Sequence, residues 1–108
     1  MAPMAETTSY EAVVHELMAD PAVVTGKLFG HPCLKIGGKV FVCEHDGDLL
    51  AKLPPDRIDE LKAAGARDFT PMGQRMNGWV KVPEPDGDVV AAWTELAEEA
   101  KAFVAEGL

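Results

Sequence analysis

The spacing of apolar residues changes twice along this chain, and each change marks a new kind of element. Over residues 10–18 the apolar positions are Tyr10, Val13, Val14, Leu17 and Met18, which is one helix stripe. Thr8 and Glu11 have capping-box spacing ahead of it, and Asp20-Pro21 stops it, so a helix from about Ser9 to Ala19 is predicted. Four short segments follow: Val23–Phe29, Cys33–Ile36, Lys39–Glu44 and Asp48–Leu53. Gly-Gly and Asp-Gly pairs lie between them, the signature of antiparallel strands joined by tight turns.

The helical period then returns. Leu53-Pro54-Pro55-Asp56 opens a helix over Asp56–Ala64, with Ile58, Leu61 and Ala64 inward and Gly65 as its stop. Strands are expected around Arg67–Thr70 and Gly78–Val82, with a Pro71/Gly73 turn between them. Asp88 is an N-cap for a last helix reaching Glu106. Its stripe is Val90, Trp93, Leu96, Ala97, Ala100, Phe103 and Val104. The order reads α-β-β-β-α-β-β-α, with the first segments sharing hairpins. That is an α+β fold, a two-layer α-β(3)-α-β(2)-α arrangement with helices on an antiparallel sheet. The 108 residues make a single domain with no linker, long repeat or low-complexity tract.

Register fixes which side chains share a face of the sheet. A two-residue Gly37-Gly38 turn pairs Ile36 with Lys39, Leu34 with Phe41 and Pro32 with Cys43. If His45-Asp46-Gly47 forms a type I turn with Gly47 in the left-handed bulge position, Cys43 pairs with Leu49 and Phe41 with Ala51. The core face is then Leu34, Ile36, Phe41, Cys43, Leu49, Ala51 and Leu53. The open face carries Lys35, Val40, Val42, Leu50 and Lys52, joined by Trp79 and Lys81.

Charge restricts the partners. The net charge is −8, which opposes generic nucleic-acid binding. Residues 27–81 hold nine Lys/Arg and seven Asp/Glu, whereas the two flanks hold one and eleven. Either the acidic residues simply solvate the outer helices, or the mildly basic middle offers a local anion-binding surface. The start has no basic flank and no apolar run of signal-peptide length, and no apolar stretch approaches the roughly 20 residues of a membrane span. Two cysteines without an export signal suggest reduced thiols in a cytoplasm.

Candidate chemistry is concentrated in HPCLKIGGKVFVCEH, residues 31–45, where His31 and Cys33 mirror Cys43 and His45 across the glycines. With the register above, the four side chains split two and two across the sheet, and tetrahedral zinc cannot gather them. A three-residue turn would remove that objection, but neither CxxC nor HxxxH spacing occurs. Disulfide exchange lacks a Cys-x-x-Cys, and a Cys43-His45 nucleophile pair lacks a third orienting group. The stretch reads as a hairpin with buried thiols. His15 has no partner in sequence. The two Asp-Gly-Asp motifs at 46–48 and 86–88 lack the further ligands of a calcium loop and fit turns and caps. No phosphate-binding glycine loop occurs. The chain is therefore read as a non-enzyme that needs no cofactor and no metal. Lysines around an apolar sheet face remain, and they could receive an anionic ligand, rim a dimer contact, or simply keep the sheet soluble.

The stretches GKLFGHPCLKIGGKVFV and LLAKLPPDRIDELKAAGARDFTPMGQRMNGWVKVP resemble the TfoX N-terminal domain family, also called TfoX/Sxy. The matching residues include Lys27-Leu28-Phe29-Gly30, Gly38-Lys39-Val40-Phe41, Lys52-Leu53-Pro54, Arg57, Phe69, Met76 and Trp79-Val80, spread over nearly all of residues 10–106. The family often has Met at Leu28 and an acidic residue or Lys-Glu at Asn77-Gly78. The resemblance implies the α-β(3)-α-β(2)-α arrangement of secretion chaperones and a link to bacterial competence and transcription. Full-length regulators carry a second, C-terminal domain, whereas this chain is read as the N-terminal-like domain alone. The family supplies no established catalytic residues.

Three functions compete. The first is a small regulatory interaction domain acting through a protein partner or self-association, a homodimer being one form, with weak or no nucleic-acid binding. The second is a direct DNA-associated regulator, for which a basic recognition helix is wanting. The third is an enzyme or carrier using Lys27, Lys52 and Arg75 for a small anion. The candidate ligand- or partner-binding residues are Lys27, Lys35, Lys52, Arg75, Trp79 and Lys81.

Overall fold

A computed structural model describes residues 9–28, 30–70, 73–74 and 76–107. Its elements are α1 (Ser9–Leu17), β1 (Val23–Leu28), β2 (His31–Ile36), β3 (Lys39–His45), β4 (Asp48–Lys52), α2 (Pro55–Ala63), β5 (Arg67–Asp68), β6 (Trp79–Val82) and α3 (Val89–Glu106). The fold is α+β. Four strands precede α2, one more than the three in the written order, because each of the four apolar segments pairs as a separate strand. Thr8 of the expected capping box, Phe29 and Pro71 lie outside the described residues.

The sheet has six strands in the order β1-β2-β3-β4-β6-β5, and every neighbouring pair is antiparallel. Gly37 and Gly38 have φ of 59° and 82°, and Asp46 and Gly47 have φ of 52° and 86°. Both turns therefore have the two left-handed residues that suit a right-twisted hairpin. The second turn corrects the expected type I turn with a bulge. It is a two-residue connection, so Cys43 pairs with Leu50 and Val42 with Ala51. Glu44 reinforces it by accepting a hydrogen bond from the Gly47 N–H at 2.8 Å.

The β2–β3 pair contains a second correction. Ile36 pairs with Lys39 and Lys35 with Val40, as expected, but the register then shifts: Leu34 pairs with Val42, and Cys33 with Cys43. Phe41 is the extra residue of a β-bulge. Phe41 and Val42 both enter the core beneath the helices, so Val42 leaves the open face and Cys43 takes its place there.

The helices cover one face of the sheet. Tyr10, Val13 and Leu17 of α1, Ile58 of α2, and Trp93, Leu96, Ala97, Ala100 and Val104 of α3 bury against Leu34, Phe41, Val42, Leu49, Ala51, Leu53, Val80 and Val82. Met18 lies beyond the end of α1 and is 42 % exposed, so the predicted stripe ends one residue early. Ala64 is likewise exposed. Asp88 caps α3 as expected, its carboxylate accepting from the Ala91 N–H at 3.0 Å. Arg57 joins α2 to α3 through a forked contact with Glu99, at 2.8 and 3.2 Å. Lys101 of α3 reaches Asp20 beyond α1 at 3.0 Å. Among the described residues, no helix is long and apolar enough to cross a membrane.

Candidate functional site: the lysine-bordered sheet face

The face away from the helices follows from the register. Val24, Gly26 and Leu28 of β1 stand opposite Lys35, Cys33 and His31 of β2. On β4, Leu50 and Lys52 stand opposite Lys81 and Trp79 of β6. Lys35, Lys52, Trp79 and Lys81, four of the six candidate residues, therefore share this face. Lys27 does not. It pairs with Pro32, in step with Leu34 and Ile36, and lies on the helix side of the edge strand. Arg75 lies outside the described residues. An anion site built from Lys27, Lys52 and Arg75 is not assembled among the described residues.

The middle of this face is not open. Cys33, Cys43, Leu50, Phe69 and Trp79 form a second buried cluster, with Leu28, Val40 and Met76 packed against it. Phe69 and Met76 belong to the connection between β5 and β6, held across itself by the Met76 N–H donating to the Phe69 carbonyl at 2.8 Å. Residues following a two-residue strand were read from sequence as more strand or turn, and their role as a cover was missed. Their apolar character among polar neighbours was the available signal.

Around this cluster two of the lysines, Lys52 and Lys81, have electrostatic partners. Lys52 Nζ lies 5.7 Å from the Trp79 ring centroid, within cation–π range. Lys81 meets Asp48 at 3.5 Å. The Lys35 stem runs over Gly26, where a Cβ would stand 2.7 Å from its Cε. Beside Lys35, on the outermost strand, Val24 is 49 % exposed.

The bulge also changes the His/Cys stretch. His31, Cys33, Cys43 and His45 share one face and are not split between two. The His31 and His45 ring centroids are 4.5 Å apart, and the His45 ring meets Phe69 edge-on at 5.4 Å. His45 Nδ1 is 3.3 Å from the Asp46 carboxylate but makes no aligned hydrogen bond. The imidazoles thus pack on each other and on Phe69. Among the described residues, no group of three or more His, Cys, Asp or Glu side chains is placed to hold a metal ion. Both cysteines are free and 1 % exposed. Burial pushes the Cys43 thiol up to about 12, with Cys33 and Glu44 adding to the shift. Burial also raises Cys33, and the Lys35 ammonium partly opposes that rise. While Phe69 and Met76 cover them, these thiols are held protonated at neutral pH, a poor state for nucleophilic or ligating work.

Several cavities open elsewhere, among them one of about 410 Å³ lined by Lys39, Lys52, Phe103 and Val104, which holds a single candidate lysine. A second, of about 480 Å³, lies between α2, the Pro83–Asp86 connection and α3, lined by residues including Leu61, Pro85 and Leu96. Another of about 360 Å³ is lined by Tyr10, Glu44, Glu84 and Trp93. The buried Tyr10 hydroxyl and Trp93 indole N–H have no hydrogen-bond partner, but both are sealed from solvent. None of these three cavities gathers the candidate lysines.

No curated protein and no solved structure matches the chain significantly. The family model of the TfoX N-terminal domain matches residues 15–103. That match begins in α1 and ends in the last turn of α3, so it spans all six strands and the lysine-bordered face between them. The chain belongs to the TfoX N-terminal domain family.

Proposed function

We propose that this chain is a small, non-enzymatic regulatory interaction domain that binds an acidic protein surface through its lysine-bordered sheet face. One observation carries the reading: Lys35, Lys52 and Lys81, from three strands, border a buried apolar patch with Trp79 at 6 % exposure and Val24 beside it. An apolar centre with a charged rim suits protein contact, the lysines steering an acidic partner into register. The family context supports a regulatory or competence-related setting. β1 is an outer strand, so a second copy pairing there is a further occupant of the same region. The cytoplasm is the compartment that suits two free thiols.

Direct DNA contact is the second reading, and it is disfavoured by charge. Lys52 lies over Trp79 and Lys81 meets Asp48, and the helices on the opposite face carry most of the acidic excess. A phosphate backbone needs several uncommitted cations together.

A photoreactive side chain at position 52, with Ala102 of α3 as the control position, tests the proposal in extract from the source cells. The reading predicts protein adducts at 52 that are absent at 102. Nucleic-acid adducts at 52, or no difference between the positions, would contradict it.

A further inference from the structure

The bulge brings Cys33 and Cys43 face to face in adjacent strands, and hairpin geometry sets how close they stand. In an antiparallel ladder, directly opposed residues alternate between hydrogen-bonded and non-hydrogen-bonded pairs, and the pair closing a two-residue turn is hydrogen-bonded. Two residues back from the closing pair Leu28/His31 lies Gly26/Cys33. Two residues back from the closing pair His45/Asp48 lies Cys43/Leu50. Cys33 therefore turns its own N–H and C=O toward β1, and Cys43 turns its toward β4. Between them the Cys33/Cys43 pair occupies a non-hydrogen-bonded position, where Cα atoms are about 4.5 Å apart and side chains approach closely. That separation lies within the disulfide range of roughly 4.4–6.8 Å. The next pair on the same face behaves accordingly, with the His31 and His45 rings in contact at 4.5 Å.

We infer that Cys33 and Cys43 form a dithiol site that closes into an intramolecular cross-strand disulfide on exposure to a small disulfide oxidant. The inference stands apart from the identity of any partner of the sheet face. Both thiols lie under Phe69 and Met76, so reaction follows opening of that cover. Cys33, which has the Lys35 ammonium near it to favour the thiolate, attacks first. Its thiolate takes one sulfur of the oxidant and expels the other as a thiolate, giving a mixed disulfide. Cys43 then attacks Cys33 Sγ and expels the second small thiol. Two S–H bonds are lost and one S–S bond forms. The oxidant accepts two electrons and both protons and leaves as two thiols. The product links β2 to β3 immediately beside the bulge, under the face bordered by Lys35 and Lys52.

The test equilibrates the folded full chain in glutathione buffers of increasing oxidised fraction. Mass spectrometry under non-reducing conditions and peptide mapping then identify the products. The expected product is a chain lighter by two hydrogens, with Cys33 joined to Cys43, reversed by dithiothreitol. Cys43→Ala is expected to stop at a glutathione adduct on Cys33. A parent chain that ends with two free thiols, two separate adducts or an intermolecular link would overturn the inference. The parent measurement decides this even where the alanine variant fails to fold.

Discussion

Leu34 stands opposite Val42, with Phe41 bulged beside it, and this pairing sets the facing of every later residue of β3. Past the bulge, Cys43 and His45 point away from the helices, while Phe41 and Val42 both enter the core. Phe41 is fully buried there. Phe41→Ala is expected to cost about 3–5 kcal/mol, the usual range for deleting a buried aromatic ring, and to approach the stability limit of so small a domain. Urea denaturation checks this. A variant that unfolds with the parent would show that Phe41 is not in the core.

Trp79, in contrast to Phe41, packs on the other face, and the two buried clusters are separated by the sheet. The Gly37-Gly38 turn and the Asp88 cap were legible in sequence, as was the placing of Phe41 and Leu49 under the helices with Lys35 and Lys52 on the other face. Val42 and Cys43, in contrast, stand on the faces opposite to those expected. The bulge was not legible from period alone. Val40-Phe41-Val42-Cys43 is four apolar residues running, which strict alternation with one wet face does not require, and a bulge between two buried faces accommodates it. Nothing local chose the slip over regular pairing. Phe41 and Val42 together fill space under α3, and that space exists only once the helix has docked. The cover over the second face was hidden for a related reason: Phe69 and Met76 act through distant contacts and follow no period of their own.

The Arg57–Glu99 fork joins two helices that are far apart in sequence. Both side chains are partly solvent-exposed, at 34 % and 41 %, so a double-mutant cycle is expected to give only about 0.2–1 kcal/mol of coupling. The coupling should shrink in high salt. A coupling above this range would mean that the pair is better shielded from water than its exposure implies.

Stability should fall on the alkaline side. The folded chain holds the Cys43 proton from the ordinary thiol value of 9.0 up to about 12, because burial penalises the thiolate. The unfolded chain releases that proton first, so the contribution is complete below pH 9 and is lost as pH rises toward 12. Burial raises the Tyr10 hydroxyl as well, with the same sign. Urea midpoints under reducing conditions are expected to drop steadily from pH 8.5 to 11, and less steeply in Cys43→Ala. A midpoint that is flat across this range would contradict the buried, protonated thiol.

The purified, tag-free chain is expected to contain no stoichiometric zinc. The four His and Cys side chains share a face, but the imidazoles pack against each other and Phe69, and the thiols lie beneath a cover. Elemental analysis finding about one zinc per chain, lost in Cys33→Ser or Cys43→Ser, would contradict this reading.

A lysine-bordered face that meets protein rather than nucleic acid should leave duplex DNA unbound. Fluorescence anisotropy with a random DNA duplex near 0.15 M ionic strength tests it most directly. The net charge of −8 and the engagement of Lys52 with Trp79 and Lys81 with Asp48 predict no binding below micromolar protein concentrations. Sub-micromolar binding that weakens steeply with added salt, and disappears in the Lys35→Glu/Lys52→Glu double variant, would contradict the account and assign the face to DNA.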